Sequence, residues 1–177
     1  MALDATRKSI IEEGGPPTVP RIGVTGHSKL TPGSEGLVLH ALRTLLAAQP
    51  GPVVGVTCLA RGADQLFAQA VLDTGGTIEV VLPSENYRSE KVEQENRQVF
   101  DALAGRAAAV RTLPFPDAGR DAYAAAGDAV LSGVDLLVAV WDGAEPDGRG
   151  GTGDTVAVAR ERGVPVEAVW PDGAGRR

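Results

Sequence analysis

The sequence predicts an α/β protein: an open, mostly parallel sheet of about five to seven strands with helices on both faces. Three observations carry this. Short apolar runs alternate with longer stretches whose apolar residues recur at helical spacing. The turns between them are short, as in βα units. One run, Val134 to Val140, is apolar throughout, which marks a central strand covered on both faces.

The elements follow in order. Arg21 to Thr25 reads as the first strand, ended by Gly26-His27-Ser28. Thr31-Pro32 then supplies a cap and a proline at the first helical position, and Val38, Ala41, Leu42, Leu45 and Leu46 form the apolar stripe of a helix. Val53 to Thr57 is a second strand, closed by Ala60-Arg61-Gly62, and Ala63, Leu66, Phe67, Ala70 and Val71 repeat the stripe until Gly75-Gly76. Thr77 to Leu82 is a third strand, ended by Pro83. The polar stretch Ser84 to Arg97, with Val92, Val99, Phe100 and Leu103 as its sparse apolar positions, predicts a partly exposed helix. Ala107 to Leu113 is a weaker strand. Tyr123, Ala126, Gly127, Val130 and Leu131 mark a helical face with Asp117 as cap. After the central strand come a helix from about Thr152 to Arg162 and a last strand, Val164 to Val169. Residues 1–19 are expected to be a flexible lead, 20–171 a single domain, and 172–177 a polar tail.

Composition narrows the function. The 177 residues are 43% hydrophobic and 23% charged, and only 4% aromatic, so the core must rest on Val, Leu and Ala. A net charge of −6 argues against nucleic acid as a partner, since a basic face is expected there. No run approaches the roughly 20 apolar residues that span a bilayer. The start of the chain lacks a signal-peptide core, so a cytoplasmic location is expected. The single cysteine, Cys58, lies in an apolar stretch and reads as a buried small side chain. With two histidines, His27 and His40, no histidine-based metal set is expected.

Right-handed crossovers place every strand-to-helix turn on one edge of the sheet, where such folds bind ligands. Three turns there carry chemistry. In the first, Gly26 admits close backbone approach. His27 either contacts a ligand or caps the turn. The G-x-G-x-x-G spacing of dinucleotide-binding folds is absent. In the second, Arg61 offers a planar fork for phosphate or carboxylate, with Gly62 beside it. Asp64, in the first turn of a helix, complements the helix dipole by about 0.3–1 kcal/mol whether or not a ligand binds. The third turn runs from Trp141-Asp142-Gly143 to Gly148-Arg149-Gly150-Gly151-Thr152-Gly153-Asp154 and opens a helix whose N-terminus favours an anion. Thr152 is the expected N-cap. Trp141 either stacks on a base or covers the sheet edge, and Asp142 either serves acid/base or hydroxyl-binding chemistry or closes an Asx turn. Two anions cannot share one helix terminus, so Asp154 is expected to turn aside toward ribose hydroxyls or a reacting carbon. The phosphate is then expected nearer Arg61 or Arg149.

Taken together, Gly23-Val24-Thr25-Gly26-His27, Gly62-Ala63-Asp64, Val80-Val81-Leu82-Pro83, Gly150-Gly151-Thr152 and Gly163-Val164-Pro165-Val166 resemble the SLOG superfamily. This Rossmann-like group includes the DNA-processing protein DprA, the Lonely Guy phosphoribohydrolases and bacterial sensors of nucleotide-derived ligands. The resemblance covers about residues 20–171. It implies a ligand built on ribose and phosphate, held by Gly26, His27 and Ser28, by Arg61, Gly62, Ala63 and Asp64, and by Trp141, Asp142, Gly143, Gly150, Gly151, Thr152, Gly153 and Asp154.

Lonely Guy enzymes carry P-G-G-x-G-T-x-x-E, whose glutamate serves N-glycosidic cleavage. With Gly151-Thr152 on that G-T, the glutamate position is Thr155, and Asp154 lies one residue early, about 100° around a helix. The expectation is therefore a binder or sensor of a nucleotide-derived ligand, with no certain cofactor and no metal. The alternative is an N-glycosidase acting on nucleoside monophosphates, with Asp154 or Asp142 as its carboxylate. A homo-oligomer through the polar helix near Glu93 to Phe100 is a further expectation.

Overall fold

The computed structural model describes residues 18–145 and 150–177. It contains six strands: β1 Arg21–Gly26, β2 Val54–Thr57, β3 Thr77–Leu82, β4 Ala109–Thr112, β5 Leu136–Val140 and β6 Val166–Ala168. Every pair of neighbours is parallel, in the order β4-β3-β2-β1-β5-β6. The chain builds outward from β1 to β4, then returns to the other side of β1 for β5. Strand order thus reverses between β1 and β5, and the carboxyl ends of these two strands flank a natural crevice.

The helices are α1 Pro32–Ala47, α2 Ala63–Asp73, the short α3 Tyr87–Glu90, α4 Arg97–Gly105, α5 Arg120–Leu131 and α6 Thr152–Glu161. The apolar stripes are buried as their spacing requires. Val38, Leu42 and Leu46 of α1 and Phe67, Ala70 and Val71 of α2 join Ile22, Ile78 and Val80 in the main core. Against the other face, Val130 of α5 packs with Val56 and Val81, and Ala159 of α6 packs with Leu131 and Leu137. The central-strand reading holds, because Leu137 to Val140 are fully buried.

Three expectations change. The stretch Ser84 to Arg97 is not one helix: it divides into α3, a 3-10 turn at Gln94–Asn96 and the start of α4. Its apolar residues lack a continuous stripe, and its short polar side chains bond locally instead, Ser84 Oγ donating to Asn86 Oδ1 at 2.9 Å. Asp117 does not cap α5. Gly119 holds that position, while Asp117 accepts a hydrogen bond of 2.6 Å from Asn86 Nδ2. At α6 the N-cap is Gly151, and Thr152 is the first helical residue.

The segment from Trp170 to Arg177 returns across the carboxyl edge of the sheet. Leu30 and Arg176 form an antiparallel bridge, the Arg177 N–H donates to Lys29 O at 2.9 Å, and the Thr31 N–H donates to Gly175 O at 3.0 Å. Among the described residues, no helix is long and apolar enough to cross a membrane.

Candidate functional site

A cavity of about 630 Å³ opens where strand order reverses, lined by the ends of β1 and β5, the opening of α6 and one side of α5. Its floor is built by close backbone packing. The His27 N–H donates to Val140 O at 3.0 Å, and the Ala63 N–H donates to His27 O at 3.2 Å, which sews the first two turns together. Gly26 makes this possible: a Cβ there would stand 2.4 Å from Ala63 Cβ and 2.8 Å from Val140 O. Gly62 combines φ +81° with the same need for space, since a Cβ would meet Ser28 O at 2.6 Å. Both glycines thus let one turn approach another, rather than leaving space for a ligand. Gly62 and Ala63 do not line the cavity, while Gly26, His27 and Ser28 do.

His27 stands in a chain of hydrogen bonds. Its Nε2 lies 3.0 Å from Asp142 Oδ1. The same Asp142 accepts from the Ala144 N–H at 3.1 Å and from Arg176 Nε at 2.7 Å. Desolvation raises the Asp142 carboxyl, but the donors from Ala144, His27 and Arg176 outweigh it and hold the group down at about 2. An ionised carboxylate only accepts, so Nε2 donates to Asp142 Oδ1 when it carries the ring proton, and the Asp142 N–H also points to Nε2, at 3.4 Å. The His27 ring also meets Trp170 edge-on, with centroids 5.6 Å apart. Asp142 therefore does close an Asx turn to Ala144, and it anchors two other segments as well.

Trp141 lines the cavity, with Nε1 donating to Ala144 O at 3.0 Å and the Arg160 guanidinium 5.8 Å from its ring centroid. Gly143, at φ +83° with open space around it, shapes the turn and does not line the cavity. Gly150, Gly151, Thr152 and Gly153 all do. The N–H groups of a helix's first turn have no partner within the helix, so this stretch can meet an anion. Asp154 turns aside, but out of the cavity and not toward a place where ribose hydroxyls or a reacting carbon would meet it there. Its Oδ2 accepts from the Gly150 N–H at 2.8 Å, and it faces a separate small cleft beside Ala124 and Asp128. Thr155 lines the cavity in its place, with its hydroxyl donating to Gly151 O at 3.1 Å.

Asp64 does more than complement a helix dipole. It is only 7% exposed, lines the cavity, and accepts from the Cys58 N–H at 3.1 Å and the Thr57 hydroxyl at 3.2 Å. Burial pushes its carboxyl up to about 6 against the pull of these donors. The preceding Leu59 is held at φ +55°, its N–H donating to Thr57 Oγ1 at 3.0 Å. A non-glycine residue in this region is strained, and the network around Thr57 and Asp64 fixes it. Cys58 is half-buried and borders the cavity; burial raises its thiol well above its usual value, so it stays protonated and inert.

The structure does not bring Arg61 into this cavity. Its guanidinium, 48% exposed, pairs with Glu93 and Glu95 in an adjoining groove of about 760 Å³. Arg149, the other expected phosphate contact, lies outside the described residues, as does Gly148. Among the lining residues that the sequence reading did not place at the site are Tyr123, Tyr87 and Arg176. Tyr123 appeared only as part of an apolar stripe, and Tyr87 as part of a polar stretch. Arg176 gave no signal, because it is brought to the cavity by the return of the segment across the sheet edge. Among the described residues, no group of three or more His, Cys, Asp or Glu could hold a metal ion.

This architecture, with its switch-point cavity, is a Rossmann-like fold. Solved structures bear this out at the level of the fold. DprA from Streptococcus pneumoniae superposes with a TM-score of 0.63 at 19% identity, over 88% of this chain and 52% of that one. The chain thus spans about half the length of that protein. The molybdenum cofactor binding protein from the phototrophic bacterium Rippkaea orientalis gives 0.58 at 20% identity, over 88% and 78% of the two chains. DprA from Helicobacter pylori, described for its single-stranded DNA binding mode, gives 0.63 at 16% identity, over 90% and 69%. No family model and no curated protein matches the sequence. Since one of these neighbours binds DNA, the fold does not exclude nucleic acid, and the expectation against it rests on charge alone.

Proposed function

We propose that the chain binds a small nucleotide-derived ligand in the switch-point cavity and leaves its bonds intact. One observation carries the choice of binder over hydrolase. The helix position that carries a glutamate in the phosphoribohydrolase motif is here Thr155, which faces the cavity, while the neighbouring carboxylate, Asp154, faces away. Asp142, the other candidate, is fully engaged by His27, Ala144 and Arg176. The phosphate is assigned to the N–H groups at the opening of α6, now that Asp154 is turned aside and Arg61 stands in the adjoining groove. Ribose and base then extend toward Tyr123 and Trp141. The cavity suits this, since drug-sized ligands occupy about 300–1,000 Å³.

Thermal-shift titration with nucleoside mono- and diphosphates, ADP-ribose and cyclic nucleotides tests the reading, with release of free base followed in parallel. At 100 times its Kd a ligand stabilises by about 2.7 kcal/mol, a rise of several degrees. Stabilisation without base release is expected; no stabilisation of the folded protein by any of them overturns binding. The N-glycosidase reading keeps one supporting observation: Asp64 is a cavity carboxylate raised to about 6, within the range of a general acid. Base release abolished by Asp64→Asn would establish it.

A further inference from the structure

We propose that Arg176 is the side chain that recognises the ligand's phosphate, carried to the cavity by the returning segment and aimed by Asp142; this rests on the cavity being the site of a phosphorylated ligand. Among the described residues, Arg176 is the only lysine or arginine that lines the cavity. The other full charges there are Asp64 and Glu145, both acidic. A helix N-terminus supplies only about half a positive charge, whereas a phosphate monoester brings −1.5 to −2. Even with Arg176 the described lining carries two acidic side chains to one basic, so Arg176 is the side-chain cation there that can meet the anion. Its guanidinium and the opening of α6 share the load.

The geometry suits this role. Arg176 uses Nε on Asp142 Oδ2 at 2.7 Å, and the described residues give its two Nη groups no partner, so the planar pair of donors that matches a phosphate stays available. Asp142 cannot swing with it, because His27 and the Ala144 N–H hold its other oxygen. The backbone that carries the side chain is fixed on both sides, by the Leu30 bridge, by Arg177 to Lys29, and by the Gly175 N–H to Ser34 Oγ at 2.7 Å. An exposed ion pair contributes little to stability. A guanidinium held this way is pre-organised for a ligand more than it is a fastener for the fold. Asp142 and His27 are then positioning residues.

Isothermal titration of the whole chain with inorganic phosphate, AMP and adenosine tests this, with amide shifts of Gly151 to Gly153 locating the bound anion. Arg176→Gln is expected to weaken phosphate and AMP by about tenfold or more, which is the loss of one charge-assisted pair, and to leave adenosine unchanged. Arg176→Lys, which keeps the charge and loses the fork, should fall between. Asp142→Asn should weaken AMP more than adenosine and shift the Arg176 Nε–H resonance. Equal phosphate and AMP affinities in wild type and Arg176→Gln, with both folded, overturn the proposal. So does a wild type that binds neither phosphate nor AMP. The two readings fail separately. Phosphate bound through Arg176, with no nucleotide binding more tightly than phosphate, removes the nucleotide ligand and keeps the anion site. AMP bound equally by both proteins keeps the ligand and removes Arg176.

Discussion

Gly26→Ala separates a glycine kept for packing from one kept for a ligand. The added methyl would lie 2.4 Å from Ala63 Cβ, 2.8 Å from Val140 Cβ and 2.8 Å from Val140 O. Carbon atoms in contact stand about 3.5–4.0 Å apart, so at least one neighbour must retreat by more than 1 Å. Neither can do so easily. Ala63 and Val140 are fully buried, the first begins α2, and the second is paired with Gly26 across β1 and β5. Overpacking of this kind costs about 1–3 kcal/mol, and the encounter with backbone places it at the upper end. The unfolded chain loses entropy in the same exchange, which returns about 0.4–1 kcal/mol. The net is about 2 kcal/mol, or a fall in Tm of about 4–8 °C for a chain of this size. Urea denaturation of the ligand-free protein measures it. A loss below about 0.5 kcal/mol would refute the packing argument and return Gly26 to the ligand.

Other outcomes follow from the same geometry. Gly143→Ala meets nothing within 4 Å but sits at φ +83°, so only the left-handed penalty of about 1–2 kcal/mol applies, read by the same denaturation. Asp64, raised to about 6 in the fold from 3.8, takes up a proton more readily folded than unfolded. Its contribution is therefore full below pH 4 and lost as pH rises to about 6, on the order of 3 kcal/mol, and Asp64→Asn should flatten that slope of stability against pH. Asp142 has the opposite sign: its carboxyl is depressed to about 2, so its contribution is present above its ordinary value of 3.8 and is lost as pH falls toward 2. The Arg176 Nε–H resonance should move across that window in wild type and stay in place in Asp142→Ala.

What the sequence determined is local and periodic. The stripe Val38, Leu42, Leu46 and the run Val134 to Val140 bury the same way wherever their neighbours lie, because 3.6-residue spacing and unbroken apolarity admit one kind of environment each. Alternating strands and helices with short turns then leave a parallel sheet with its turns on one edge. That was enough to name Gly26, His27, Trp141, Asp142 and the Gly150–Gly153 stretch as edge residues, though not to show that Asp154 leaves the cavity altogether for the Gly150 N–H.

The tertiary structure decided what depends on residues far apart in the chain. Arg61 looked like a phosphate contact until Glu93 and Glu95, some thirty positions on, came within reach of it. Gly26 and Gly62 read as points of close approach, and the groups that approach are Ala63, Val140 and Ser28. Arg176 carried no motif, because only the return of its segment to Leu30 and Asp142 gives it a place at the cavity. Spacing along a chain fixes which face a side chain takes, but the partner that neutralises, crowds or aims it is chosen by contacts that the fold alone brings together.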